Sequence, residues 1–185
     1  DRSKAEGQRN RAILETLYSC GLRVSELVNL KLSDLYFDEG FIKVEGKGSK
    51  QRLVPISPRA INEIKLYFTD RNRIEVKKEY EDFVFVSQRR GKGLSRIMIF
   101  HMIKELAQTA GIIKNISPHT FRHSFATHLL EGGANLRAIQ CMLGHESIAT
   151  TEIYTHIDRN MLRSEIIEHH PRNIKYRKEK EELFH

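Results

Sequence analysis

The sequence predicts a mainly α-helical domain carrying one small antiparallel β-sheet, and three observations lead there. Apolar residues recur at helical spacing through most of the chain, and one stretch alternates at period two around a glycine-rich centre. No internal repeat of about 20 to 50 residues and no Pro/Gly/Ser-rich linker divides the sequence, so one folding unit is expected. We place it at residues 1–172, followed by a charged tail at 173–185.

From Gln8 to Ser19, Ala12, Ile13, Leu14, Leu17 and Tyr18 mark a helix that Cys20-Gly21 closes, since glycine accepts positive φ. Leu22 to Leu30 restarts the pattern with Ser25 as N-cap before Glu26, which leaves Arg23 at a junction where a long side chain can be aimed into a cleft. Phe41–Glu45 and Arg52–Ile56 alternate on either side of Gly46-Lys47-Gly48-Ser49-Lys50 and predict a hairpin. Ser57-Pro58 pairs an N-cap with a first-turn proline and opens a helix through Ile61, Ile64, Leu66, Tyr67 and Phe68.

Phe83-Val84-Phe85-Val86 reads as a short buried strand, followed by a basic turn at Arg89–Gly93. Ser95 to Ala110 is helical through Ile99, Ile103 and Leu106. Ser117-Pro118 opens the next helix, which ends at Gly132-Gly133 and puts His119, Arg122 and His123 together while Phe121, Phe125 and Leu129 form an apolar stripe. Asn135 caps a helix through Leu143, and Ser147 caps one that carries Tyr154. Arg159 to Glu168 shows Met161, Leu162, Ile166 and Ile167 on one side, ahead of the charged tail.

At 185 residues, 39% apolar and 30% charged, the chain has the composition of a folded domain. Its 31 basic residues against 24 acidic ones give +7, an imbalance that suits a polyanion such as double-stranded DNA. No stretch approaches the about 18 consecutive apolar residues of a membrane span, and Asp1-Arg2-Ser3-Lys4 lacks a signal-peptide core, so no membrane partner and a cytoplasmic location are expected. Cys20 and Cys141 are too far apart in sequence, and too few, to suggest a disulfide framework or metal site, and are expected to fill the core.

The nucleotide-binding, serine-hydrolase and zinc-protease signatures GxxxxGK[ST], GxGxxG, GxSxG and HExxH do not occur. His119, His123 and His128 share one helix without a carboxylate in register, so no metal and no cofactor are expected. The polar residues suit phosphate chemistry instead. Arg23 and Arg122 offer permanently charged forks for two phosphoryl oxygens. Lys47, between two glycines at the hairpin tip, can carry a proton to a backbone phosphate, and His119 and His145 can exchange protons near neutrality. Tyr154 is the nucleophile candidate, its phenol needing cationic surroundings to ionise as it attacks.

Four blocks carry a resemblance: Tyr18-Ser19-Cys20-Gly21-Leu22-Arg23-Val24-Ser25-Glu26-Leu27, Gly46-Lys47-Gly48-Ser49-Lys50-Gln51-Arg52-Leu53-Val54-Pro55, Ser117 through Leu130, and Leu143 through His156. Together with His169-His170-Pro171-Arg172 they resemble, in family order, the tyrosine site-specific DNA recombinases of the Xer type.

The resemblance implies that Arg23 and Arg122 clamp the scissile phosphate, Lys47 protonates the leaving 5′-oxygen, and His119 and His145 are active-site histidines. It implies Tyr154 as the nucleophile forming a 3′-phosphotyrosyl link, without metal or ATP, and Glu26 as support for the first arginine. Lys50, Arg52 and Arg96 are expected further DNA-binding residues. A homo-oligomer, a tetramer on DNA, or a related recombinase subunit is the implied protein partner.

Relatives carry an N-terminal DNA-clamping module of about a hundred residues, the core-binding domain, so this chain is expected to be a catalytic domain without it, either a fragment or a minimal enzyme. Asn10 stands where relatives have aspartate. Type IB topoisomerase-like relaxation, phage or transposon integration against chromosome dimer resolution, and cis or trans packing of the helix at 159–168 all stay open.

Overall fold

The computed structural model describes residues 6–144, 166–171 and 174. Helix α1 (Gly7–Cys20) buries Ala12, Ile13 and Leu17, and Gly21 ends it at φ 64° with its amide on Leu17 O. Helix α2 (Val24–Val28) is one short turn rather than the longer segment expected, and its N-cap is Arg23, not Ser25. The reason is local: the Glu26 carboxylate turns back to accept the Arg23 amide at 2.8 Å, which fixes the helix start two residues earlier.

The sheet has three antiparallel strands in the order β1 (Leu35–Tyr36), β2 (Phe41–Glu45) and β3 (Gln51–Pro55). The hairpin of β2 and β3 matches the sequence reading, with β3 shifted by one residue, while the two-residue β1 is too short to leave a period-two signal. Register pairs Ile42 with Val54 and Val44 with Arg52, so Arg52 lies in phase with Val54, which is wholly buried.

Helix α3 (Pro58–Arg71) starts on Ser57, whose hydroxyl accepts the Ala60 amide, and it packs Ile64 and Tyr67 against α1. Two ion pairs on buried carboxylates tie these helices, Arg59 to Glu15 at 3.1 Å and Arg11 to Glu63 at 3.0 Å. Val84–Val86 are buried as expected, but the Phe83–Val86 run is not a strand: it makes only isolated bridges, Lys31 with Phe83 and Val86 with Gly93. Three of its carbonyls go instead to side chains, Phe83 O and Val84 O to the Arg71 guanidinium and Val86 O to that of Arg9.

Helices α4 (Arg96–Thr109), α5 (Pro118–Glu131) and α6 (Leu136–Leu143) follow, with Ser95 and Asn135 capping the first and last. Two apolar clusters result. One joins α1, α2, the sheet, α3 and α4, and the other gathers Phe125 and Leu129 of α5, Ala138, Ile139, Met142 and Leu143 of α6, and Ile166. Both cysteines are buried core residues, Cys20 in the first cluster. Of the expected helix at 159–168, the described part is helical from 166 to 169; the segment expected to form a helix carrying Tyr154 lies outside the described residues. Among the described residues, no helix is long and apolar enough to cross a membrane.

Candidate active site

One carboxylate organises the seam between the two clusters. Glu26 is buried because it lies on the inner face of α2 beside Leu27, and a buried charge is stable only when paired. Its oxygens take the Arg23 amide at 2.8 Å and the Arg23 guanidinium at 3.6 Å. Arg52 closes on it from β3 as a two-pronged fork, Nη1 to Oε2 and Nη2 to Oε1, the second at 2.9 Å. Arg122 stands on the third side with Nη1 4.0 Å from Oε1.

Two of these arginines also hold the end of α6. Arg52 Nε donates to Met142 O at 2.9 Å and Arg122 Nη2 to Leu143 O at 2.6 Å, so both cations face the helix C-terminus, where unpaired carbonyls carry partial negative charge. Arg122 Nη1 reaches Gly21 O at 2.7 Å, linking α5 to the end of α1. Glycine is required at that point: with φ 64°, a Cβ on Gly21 would lie 2.4 Å from the Phe125 ring. Gly144, also at positive φ, lies against Arg52, where a Cβ would meet its Nη1 at 3.0 Å.

Three guanidinium groups around one carboxylate leave a surplus of positive charge in a partly desolvated place. Burial would raise the Glu26 pKa, but the hydrogen bond and charge of Arg52 and the amide and charge of Arg23 outweigh it, holding the carboxyl below its usual value of about 4.5. Burial, and then the charges of Arg23 and Arg52, pull Arg122 down to about 10 against the attraction of Glu26. Arg122 therefore stays protonated at neutral pH. The side chain of Arg23 is 41% exposed, against 13% for Arg122 and 7% for Arg52, so the surplus opens to solvent on the Arg23 side. An oxyanion that docks there relieves the repulsion.

Arg23 and Glu26, three residues apart at the start of α2, are joined by Arg122 from the distant α5. Lys47 is exposed at the hairpin tip, next to Gly46, where a Cβ would lie 3.5 Å from both Arg52 Nη1 and Glu26 Oε2. His119 is exposed in the first turn of α5, one turn before Arg122. Lys50 and Arg96 are exposed. Arg52 corrects its expected role: it faces inward to Glu26 and Met142, not outward to DNA, because it occupies the buried register of β3. His145 and Tyr154 lie outside the described residues.

The reading from sequence missed the inward contacts of Arg52 with Glu26 and Met142, although its phase with Val54 was the available signal. It also missed the Tyr18 hydroxyl, 2.6 Å from His128 Nδ1, with the Tyr18 ring 4.7 Å from that of His170. That contact engages His128 with α1.

Comparison with known proteins follows the same lines. The family model described as "Phage integrase family" matches residues 1–161. The chain is 51% identical over 164 residues to the tyrosine recombinase XerD of Chlorobaculum tepidum, covering 89% of this chain and 54% of that protein. It is 47% identical over 170 residues to XerD of Staphylococcus saprophyticus, covering 92% and 57%. The chain thus spans little more than half the length of these relatives. Among solved structures, a XerA recombinase superposes with a TM-score of 0.70 at 39% identity, covering 90% of this chain and 59% of that one. A XerH site-specific recombinase bound to its difH substrate in a pre-cleavage complex gives 0.68 at 31% identity, covering 85% and 45%.

Proposed function

The chain belongs to the phage integrase family, and on that premise we propose that it is a site-specific DNA recombinase that cleaves and rejoins strands through a 3′-phosphotyrosyl intermediate. The observation that carries this reading is the set of three arginines converging on Glu26 within 4.0 Å. In-line displacement at phosphorus concentrates negative charge on the non-bridging oxygens, and preorganised donors stabilise it by about 3 kcal/mol each. Arg23 and Arg122 fill that role, oriented by Glu26, so no entropy is lost in gathering them during the reaction.

The Tyr154 oxygen attacks phosphorus as its proton leaves, the bond from phosphorus to the 5′-oxygen breaks, and Lys47 supplies the proton that the departing 5′-oxygen takes up. His119 and His145 assist proton movement around the phosphate. The phosphotyrosyl ester keeps the bond energy, so a 5′-hydroxyl from another strand reverses the step without ATP. Residues 1–172 form the catalytic unit in this reading, acting in the cytoplasm on double-stranded DNA as an oligomer, a tetramer on DNA or a pairing with a related subunit. The solved XerH complex with difH supports DNA as the partner. A nicked suicide substrate tests the proposal: the unsubstituted chain forms a covalent adduct on a denaturing gel, and Tyr154→Phe binds the same DNA but forms none.

A further inference from the structure

Arg52 has more partners than a surface arginine and a different set from the two phosphate clamps. Its fork closes on both Glu26 oxygens, its Nε donates to Met142 O at 2.9 Å, and a Cβ on Gly144 would lie 3.0 Å from its Nη1. Its side chain is 7% exposed, so it does not present its charge to solvent. Three structural units meet on this one group: α2 through Glu26, the lysine hairpin through β3 itself, and the end of α6, from which the chain continues directly into His145.

We propose that Arg52 is a positioning residue for strand cleavage, a strut that fixes the Glu26 carboxylate and the α6 end relative to each other so that Arg23 and Arg122 stay aimed at one phosphate. This rests on the recombinase reading above. A planar fork is needed because the two hydrogen-bond directions, to a carboxylate and to a backbone carbonyl, must be satisfied at once, and an ammonium group on a flexible stem holds one geometry poorly. Among the described residues, the charged groups facing Glu26 are Arg23 from the junction of α1 and α2, Arg52 from β3 and Arg122 from α5, with Gly46 close by and Lys47 next to it in sequence. Without Arg52, burial gains weight on a carboxyl that has lost its strongest partner, so Glu26 takes up a proton at higher pH and releases its hold on Arg23.

The test uses the 185-residue chain and reads single-turnover cleavage of a suicide substrate, DNA affinity by anisotropy and the Glu26 carboxyl titration by carbon-13 NMR. Arg52→Gln is expected to keep DNA affinity within about threefold while cleavage at pH 8 falls about 10-fold or more, the size of a small misplacement of catalytic groups. Cleavage should fall further between pH 8 and pH 6, where the unsubstituted chain changes less, and the Glu26 titration should move upward. Arg52→Lys retains the charge and is the variant that decides if the glutamine form does not fold: it is expected to keep the unsubstituted pH profile but to cleave at least about threefold more slowly. A lysine variant as fast as the unsubstituted chain overturns the proposal. So does a glutamine variant whose loss is one constant factor at every pH with an unmoved Glu26 titration, the signature of a purely structural arginine. Absence of an adduct from the unsubstituted chain sinks the recombinase reading instead, and the NMR titration still decides whether Arg52 governs Glu26.

Discussion

Arg122 donates to the carbonyl oxygen of Gly21 at 2.7 Å, so the guanidinium assigned to the phosphate is anchored to the glycine that ends α1. The same glycine leaves no room for a side chain under Phe125, one turn farther along α5. Substituting Gly21→Ala therefore combines a disfavoured left-handed backbone with a clash against the ring. Stability is expected to drop by about 2 kcal/mol or more, with slower cleavage as Arg122 loses its anchor. Urea unfolding followed by circular dichroism gives the first quantity and suicide-substrate kinetics the second; a variant unchanged in both contradicts this packing.

Replacing Arg122→Ala removes a charge from the proposed phosphate site and leaves Gly21 O and Leu143 O without this donor. Cleavage is expected to fall about 10²-fold or more. Arg122→Lys keeps a charge but cannot reach both carbonyls in the same geometry, and is expected to recover only part of the loss. Equal rates for the lysine variant and the unsubstituted chain would show that charge alone suffices.

Glu26 gives a signed pH dependence. Its pKa is lowered in the folded protein, so the unfolded chain binds its proton more readily. The stabilisation from the ionised carboxylate is present above its unfolded value of about 4.5 and is lost as pH falls through the depressed folded value. Denaturation measured between pH 7 and pH 3 should show Glu26→Gln less stable than the unsubstituted chain at pH 7, by about 3 kcal/mol for a broken buried pair. The gap should narrow toward pH 3. A gap that is constant or widens on acidification contradicts the assignment.

Much of this site was legible in the sequence, and the unread parts have physical causes. Arg23 and Arg122 stand at a helix junction and on a helix face whose apolar neighbours fix the outlook of the polar ones. The inward turn of Arg52 was encoded in the period-two phase it shares with Val54, but a basic residue two positions after Lys50 reads as surface until its buried acidic partner is known. The Met142 and Leu143 carbonyls leave no trace in side-chain pattern, because backbone groups are common to every residue. Phe83–Val86 shows the reverse error: four apolar residues read as a strand, yet Arg71 takes the Phe83 and Val84 carbonyls and Arg9 the Val86 carbonyl, and burial alone does not make a ladder.

If guanidinium groups supply the charge stabilisation, cleavage needs no divalent cation. Adduct formation is expected to proceed at an unchanged rate in excess EDTA. A loss that added Mg²⁺ restores contradicts the arginine-based account.

The central claim is that the phosphate gathered by Arg23 and Arg122 becomes esterified to Tyr154. Proteolysis of the trapped DNA adduct, followed by mass spectrometry of the nucleotide-bearing peptide, tests it most directly. The account predicts a 3′-phosphate on the peptide containing Tyr154; a 5′-phosphate linkage, or attachment at any other residue, contradicts it.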